Sequence, residues 1–231
     1  MNSASNQAVG GLKVFCVIPA WNEGKNLPAV LEQVKPLVYE TVVVDDGSTD
    51  ETYKLAEASG VTALRHIINR GQGAALRTGT EYALEAGADV IVHFDADGQF
   101  LAEEIAEVVA PIIRGEAEMV FGSRFLDKRS AIPGFKKAVI LPLARLVNRV
   151  FLNVRTTDPQ SGFRAFSRRA AASVKWHQDD MAHCSEIIYA ASRSGLTIKE
   201  VPMTVVYHKF GSGFTRGFRI LKDLFISRLI N

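Results

Sequence analysis

The chain has 231 residues, 47% of them apolar and 23% charged, with a net charge of +2 and two cysteines. That composition predicts one globular domain with a real core and excludes a disordered polymer, a collagen-like rod and a disulfide scaffold. No apolar stretch approaches the roughly 20 residues of a bilayer-spanning helix, residues 1–11 have no leader pattern, and Cys16 and Cys184 read as reduced thiols of a cytoplasmic protein.

Along the first half, short β-branched runs alternate with helical spacing. Residues 14–18 and 41–44 are nearly continuous apolar runs, as buried parallel strands require, and residues 26–38 between them predict a helix. Ser48 with Glu51 three residues on predicts a capping box that opens a helix to Ala58. Residues 61–64 give a third strand, residues 73–86 a helix ended by Gly87, and residues 90–94 a fourth strand. A helix over 102–114 and a strand over 119–121 follow. This rhythm predicts an α/β fold, a mostly parallel sheet with helices on both faces.

The second half loses the rhythm. Residues 136–153 predict a long, largely apolar helix, 185–194 a helix stopped by Gly195, and 197–206 an extended segment. The last stretch, 207–231, sets Phe214, Phe218, Leu221, Phe225 and Leu229 on one helical stripe with basic residues off it. Charge is uneven as well. Seven basic residues face Asp127 alone between Arg124 and Arg149, and five face Asp223 between Lys209 and Arg228. An acidic body with two basic segments suits a partner with a negative surface. A peripheral contact with an anionic membrane and packing or dimerisation of those stripes both fit. The near-neutral total and the lack of a recognition motif argue against nucleic acid.

In open parallel sheets ligands bind beyond the carboxyl ends of the strands. Pro19 to Glu23 follows the first strand, Asp45 to Asp50 the second, Asp95 to Gln99 the fourth and Gly122 to Arg124 the fifth. Carboxylates from three loops thus meet at one edge. Two of them, Asp95 and Asp97, have the Asp-x-Asp spacing that points both side chains the same way. Hard oxygen ligands of this kind suit Mg²⁺ or Mn²⁺ together with a substrate's phosphates. Asn69 to Gly73 is a rival glycine-rich segment, read either as a tight turn or as support for a bound phosphate. The five histidines show no metal-ligand spacing and read as isolated core or surface residues.

Pro19-Ala20-Trp21-Asn22-Glu23, Asp45-Asp46-Gly47-Ser48, Asp95-Ala96-Asp97-Gly98-Gln99, Gly122-Ser123-Arg124 and Ser161-Gly162-Phe163-Arg164 occur in the order seen in family 2 glycosyltransferases. Within the family the chain most resembles dolichyl-phosphate mannose synthases and bacterial polyprenyl-phosphate sugar transferases. The resemblance covers nearly the whole chain. It implies a single GT-A domain over 1–231, with residues 1–11 disordered and 207–231 at a membrane interface. It also implies an inverting transfer of mannose or glucose from a GDP- or UDP-sugar to polyprenyl phosphate, at the cytoplasmic face of the membrane.

By the same resemblance Pro19, Trp21, Glu23, Val44 and Asp46 line the nucleotide pocket, with Asp46 near the base or ribose. Asp95, Asp97 and Gln99 surround the metal, and Ala96 touches the donor through its backbone. Arg124 meets the donor diphosphate or the acceptor phosphate, and Asp158, Ser161 and Arg164 belong to the acceptor side. Trp21 replaces the subgroup's usual Tyr, and Gly211-Ser212-Gly213-Phe214 lacks its late Lys, for which Lys209, Arg216 or Arg219 could substitute.

A lipid phosphate is ionised at neutral pH, since its second pKa lies at about 6, and needs no strong base. A sugar hydroxyl would need one, and Asp158 is the candidate, a turn or cap role being the other reading. Arg164 is either a ligand or a salt bridge to the sheet edge, and Glu186 either a structural hydrogen bond or a functional contact. The alternatives to lipid transfer are a saccharide or protein acceptor, and an inactive family member serving as a regulatory subunit.

Overall fold

The computed structural model describes residues 11–126, 156–158 and 160–206. The expectations for residues 1–10, for the helix over 136–153 and for the stripe over 207–231 lie outside the described residues.

Seven strands form one sheet in the order β3-β2-β1-β4-β6-β5-β7. The strands are β1 (Val14–Ala20), β2 (Glu40–Asp45), β3 (Thr62–Arg65), β4 (Val90–His93), β5 (Met119–Ser123), β6 (Arg164–Ser167) and β7 (Ile198–Pro202). β1 pairs in parallel with β2 and β4, β2 with β3, and β5 with β7. The helices are α1 (Leu27–Val34), α2 (Thr52–Ala58), α3 (Gln72–Glu85), α4 (Ile105–Ile113), α5 (Arg168–Ser173) and α6 (His183–Arg193).

Every residue of β1 is buried, because helices cover both faces of the sheet. Val14, Cys16 and Ile18 join one core with Leu27, Leu31, Val108 and Val109, from α1 and α4. Phe15 and Val17 point the other way, into a second core with Leu76, Ala83, Ile187 and Ile188, from α3 and α6. This period-two split is why a continuous apolar run signals a central strand. Gly79 lets α3 lie on β1 and β2: a Cβ there would collide with Val17 Cγ1 and crowd Val44 Cγ2.

One expectation needs correction, and two elements have no signature in the sequence. The repeated β-α rhythm ends at β6, which runs antiparallel between β4 and β5, with Ile91 opposite Phe166 and Val120 opposite Ala165. Neither β6 nor α5 follows from the rhythm, although Ser167 caps α5 by accepting from Ala170 N at 3.1 Å. Ser48 opens no capping box. The N-cap of α2 is Glu51, and Ser48 Oγ instead accepts from Asn22 N at 2.9 Å, tying the loops after β1 and β2 together. Asp50 supplies the helix start, accepting from Thr52 N at 3.0 Å.

Candidate active site

The carboxyl ends of β1, β2 and β4 open into one cavity of about 580 Å³. Its lining includes Pro19, Trp21, Glu23, Asp46, Asp95, Ala96 and Asp97, seven of the residues singled out in the sequence. Trp21 is 54% exposed at the mouth, an aromatic face available for stacking. Asn22 sits beside it at φ 56°, the left-handed conformation that Asn tolerates.

Each carboxylate is oriented by its neighbours. Asp46 is buried and accepts from His66 Nδ1 at 2.7 Å, Arg70 N at 3.0 Å and Gly71 N at 2.6 Å. Backbone N–H groups of the glycine-rich segment thus bind a protein carboxylate, and Asn69, Gly71 and Gln72 line the same cavity. Asp95 Oδ1 accepts from Gln72 Nε2 at 2.8 Å. Asp97 Oδ1 accepts from Gln99 N at 3.0 Å. Asp45 turns away from the cavity, into an ion pair with Arg65 at 3.0 Å.

Asp95 binds its proton unusually tightly. Burial first, then the charges of Asp97 and Cys184, push it up to about 7, against the opposing pull of Arg164 and His183. Glu23 is raised too, by burial and by the charges of Asp97 and Asp50. A carboxylate group this crowded favours a cation in its midst. The residues fit a divalent metal in one limited way. No cluster of three His, Cys, Asp or Glu side chains forms a metal cage among the described residues. Asp95 and Asp97 can supply two ligands, so the remainder must come from substrate oxygens and water, the usual arrangement for Mg²⁺.

Other expected site residues lie elsewhere. Val44 is fully buried in the core beneath the cavity. Gln99 stands in the turn behind Asp97, its carbonyl accepting from Val206 N at 2.9 Å. Arg124 and Asp158 grip each other in a fork, Nε to Oδ2 at 2.6 Å and Nη2 to Oδ1 at 2.7 Å. Asp158 is 1% exposed. Glu200 of β7 fixes this segment, accepting from Thr157 N at 2.8 Å and Asp158 N at 3.2 Å. Ser161 Oγ donates to Phe163 O at 3.2 Å.

Arg164 is 0% exposed. Its Nη2 donates to Cys184 Sγ at 3.2 Å, while its Nε and Nη1 meet no hydrogen-bond partner among the described residues. Burial raises the Cys184 thiol, but Arg164 and His183 outweigh it and bring the group down to about 6. Arg164 therefore acts as an internal charge at the sheet edge.

One wall has no signature in the sequence. Asp180, Met181 and Ala182 line the cavity, carried by a segment that docks on the start of α3. Trp176 Nε1 donates to Gly73 O at 2.9 Å, and Glu186 Oε2 accepts from His177 N and Gln178 N. Glu186 thus makes the structural hydrogen bond. Gly71 lies at φ 108°, and a Cβ there would strike Asp179 O. His66, which reads in the sequence as an isolated histidine, holds Asp46, and Gln72, which reads only as part of the glycine-rich segment, holds Asp95.

The sequence profile of glycosyl transferase family 2 matches residues 15–174. The chain belongs to glycosyl transferase family 2. It is 33% identical to the UDP-N-acetylglucosamine–dolichyl-phosphate N-acetylglucosaminyltransferase of Methanococcus voltae, over 94% of this chain and 96% of that one. It is 28% identical to the polyprenol monophosphomannose synthase of Mycolicibacterium smegmatis, over 92% of this chain and 84% of that one. The structure superimposes on Mycobacterium tuberculosis glucosyl-3-phosphoglycerate synthase, crystallised with Mg²⁺ and UDP, with a TM-score of 0.71 at 25% identity, over 93% of this chain and 78% of that one. This family 2 glycosyltransferase has the GT-A fold, and the carboxylate cavity occupies the ligand edge of its sheet.

Proposed function

We propose that this enzyme transfers a hexose, with inversion, from a nucleoside diphosphate sugar to the phosphate of a polyprenol. Mg²⁺ or Mn²⁺ would be held by Asp95 and Asp97. The observation that carries the reading is the meeting of Asp46, Asp95 and Asp97 in one cavity, with Asp95 pushed up to about 7 by burial and by the charges of Asp97 and Cys184. The names of the M. voltae and M. smegmatis relatives supply the acceptor class, dolichyl phosphate in one and polyprenol monophosphate in the other.

Pro19, Trp21 and Asp46 would bind the nucleoside, and Ala96 would meet the donor through its backbone. A divalent ion held by Asp95 and Asp97 would screen the negative charge of a leaving diphosphate. Gln72 and the Gln99 N–H hold the two Asp side chains in place for it. The state of Asp158 favours a phosphate acceptor over a hydroxyl. Both its oxygens are committed to Arg124, which leaves it poorly placed as a general base. An acceptor phosphate already ionised at neutral pH does not need one, and positioning with charge stabilisation then carries the catalysis. Arg124, 26% exposed at its side chain, would divide its guanidinium between Asp158 and a substrate phosphate. Ser161 and Arg164 would shape this side from beneath.

A polyprenyl acceptor resides in a bilayer, and no helix among the described residues is long and apolar enough to cross one. The basic sequences over 124–149 and 209–228 would hold the enzyme peripherally at the cytoplasmic face, each basic residue near anionic lipid contributing about 1 kcal/mol.

The test is synthesis of a lipid-linked sugar from polyprenyl phosphate and a nucleotide sugar. Product should form with Mn²⁺ or Mg²⁺ and vanish with EDTA or in Asp97→Ala. Transfer to free saccharides but never to lipid phosphate would overturn the acceptor assignment.

A further inference from the structure

The donor base is legible in the hydrogen-bond account of one carboxylate, provided that the cavity binds a nucleotide as proposed above. An ionised carboxylate offers about four lone-pair sites, two on each oxygen. Asp46 Oδ1 already accepts two hydrogen bonds, from His66 Nδ1 at 2.7 Å and Arg70 N at 3.0 Å. Asp46 Oδ2 accepts one, from Gly71 N at 2.6 Å. Three of the four sites are filled by the protein itself, and a single site on Oδ2 remains.

His66 can only donate to Asp46, because a carboxylate has no proton to give back, so Nδ1 carries the hydrogen. The other ring nitrogen, Nε2, lies 2.9 Å from Thr78 Oγ1 on α3. The ring thereby fixes the carboxylate against β3 and α3 together. Gly47 holds the loop from the other side. A Cβ on it would come within 2.6 Å of Asn69 N, so the loop backbone rests directly on the turn that presents Asp46.

Bases differ in what they offer such an acceptor. Guanine presents two adjacent donors, N1–H and the N2 amino group, which match both oxygens of a carboxylate at once. Uracil presents one donor, N3–H, between two carbonyls. A carboxylate with one oxygen saturated can receive the second pattern but not the fork of the first. The side chain of Asn69, another cavity residue, carries an amide that can donate to a flanking uracil carbonyl.

We infer that His66, by filling Asp46 Oδ1, makes this a site for a base with a single N–H between carbonyls, uracil rather than guanine. His66 is a positioning residue that acts through Asp46. A site whose buried polar groups match one ligand and are mismatched by another discriminates strongly.

The experiment is equilibrium binding of UDP and of GDP, each with Mn²⁺, to the full chain and to His66→Phe and His66→Asn. UDP should bind the wild type at least tenfold more tightly than GDP. His66→Phe, which removes the donor, should narrow that ratio at least threefold. His66→Asn, whose amide can donate from nearly the same place, should restore it. Should His66→Phe fail to fold, Thr78→Val loosens the ring and should narrow the ratio less but in the same direction. GDP binding as tightly as UDP overturns the base assignment and leaves the nucleotide cavity standing. A ratio unchanged in a folded His66→Phe, or in Thr78→Val where that variant stands in, overturns the role of His66. Neither nucleotide binding at millimolar concentration overturns the donor reading, and the base assignment with it.

Discussion

The two halves of the sheet edge use their charges in opposite ways. Over β1, β2 and β4, Asp46 and Asp95 are oriented by Gln72, backbone N–H groups and His66 rather than by a guanidinium, and both line a shared cavity. Over β5 and β6, charge meets charge: Arg124 closes on Asp158, and Arg164 lies wholly buried against Cys184. A carboxylate oriented by amide and imidazole N–H groups keeps lone pairs for a ligand, whereas one gripped in a fork by a guanidinium has both oxygens engaged. The first half therefore presents its carboxylates to an open cavity, and the second ties its charges into the frame beside it.

Substitutions should separate the halves by what they break. The largest effect on transfer is expected for Asp97→Ala. It should lower the rate by about 10³-fold or more, as loss of a principal electrostatic contact to developing charge does, while the thermal midpoint hardly moves. Asp158→Ala should do the reverse in kind. Removing one member of a buried ion pair costs about 3–5 kcal/mol. Arg124 keeps some access to solvent, so a loss of about 2–3 kcal/mol is expected, read by denaturant unfolding. If Asp158→Ala kept full stability and lost only activity, the comparison would fail.

Acidity gives an effect of intermediate size. Asp95 is raised from 3.8 to about 7 in the metal-free chain. Its contribution to stability is therefore full below its ordinary value and lost as pH rises through about 7. Proton and metal compete for the same oxygens, so Mn²⁺ should bind more tightly at pH 8 than at pH 6. Manganese titration followed by electron paramagnetic resonance measures this, and a flat affinity over that range would contradict it. The smallest effect is expected for Trp21→Tyr. Both rings can stack at the exposed mouth, and the donor KM should change less than about threefold, since one aromatic contact is worth about 1 kcal/mol.

The binding half was also the legible half. Its strands are short, β-branched and each followed by its own loop, so β1 to β4 and the placing of Asp46, Asp95 and Asp97 just beyond strand ends follow from pattern alone. Ser48 misled because a capping signature records only a hydroxyl near a carboxylate. The hydroxyl's actual partner, Asn22 N, lies 26 residues away. β6 was missed because Arg164 and Ser167 break its apolar run, and only the tertiary pairing with β4 and β5 makes it a strand. The ion pairs of Arg124 and Asp158 join residues 34 apart, a separation that no local spacing encodes. His66 looked isolated for the same reason, since its partners Asp46 and Thr78 meet only after β2, β3 and α3 have packed.

The most direct measurement is a crystal structure with Mn²⁺ and an intact or hydrolysed nucleotide sugar. The manganese should sit on oxygens of Asp95 and Asp97, with the diphosphate completing its shell and the nucleoside reaching Asp46. A nucleotide bound away from this cavity, or a manganese ion that ignores both aspartates, would contradict the account.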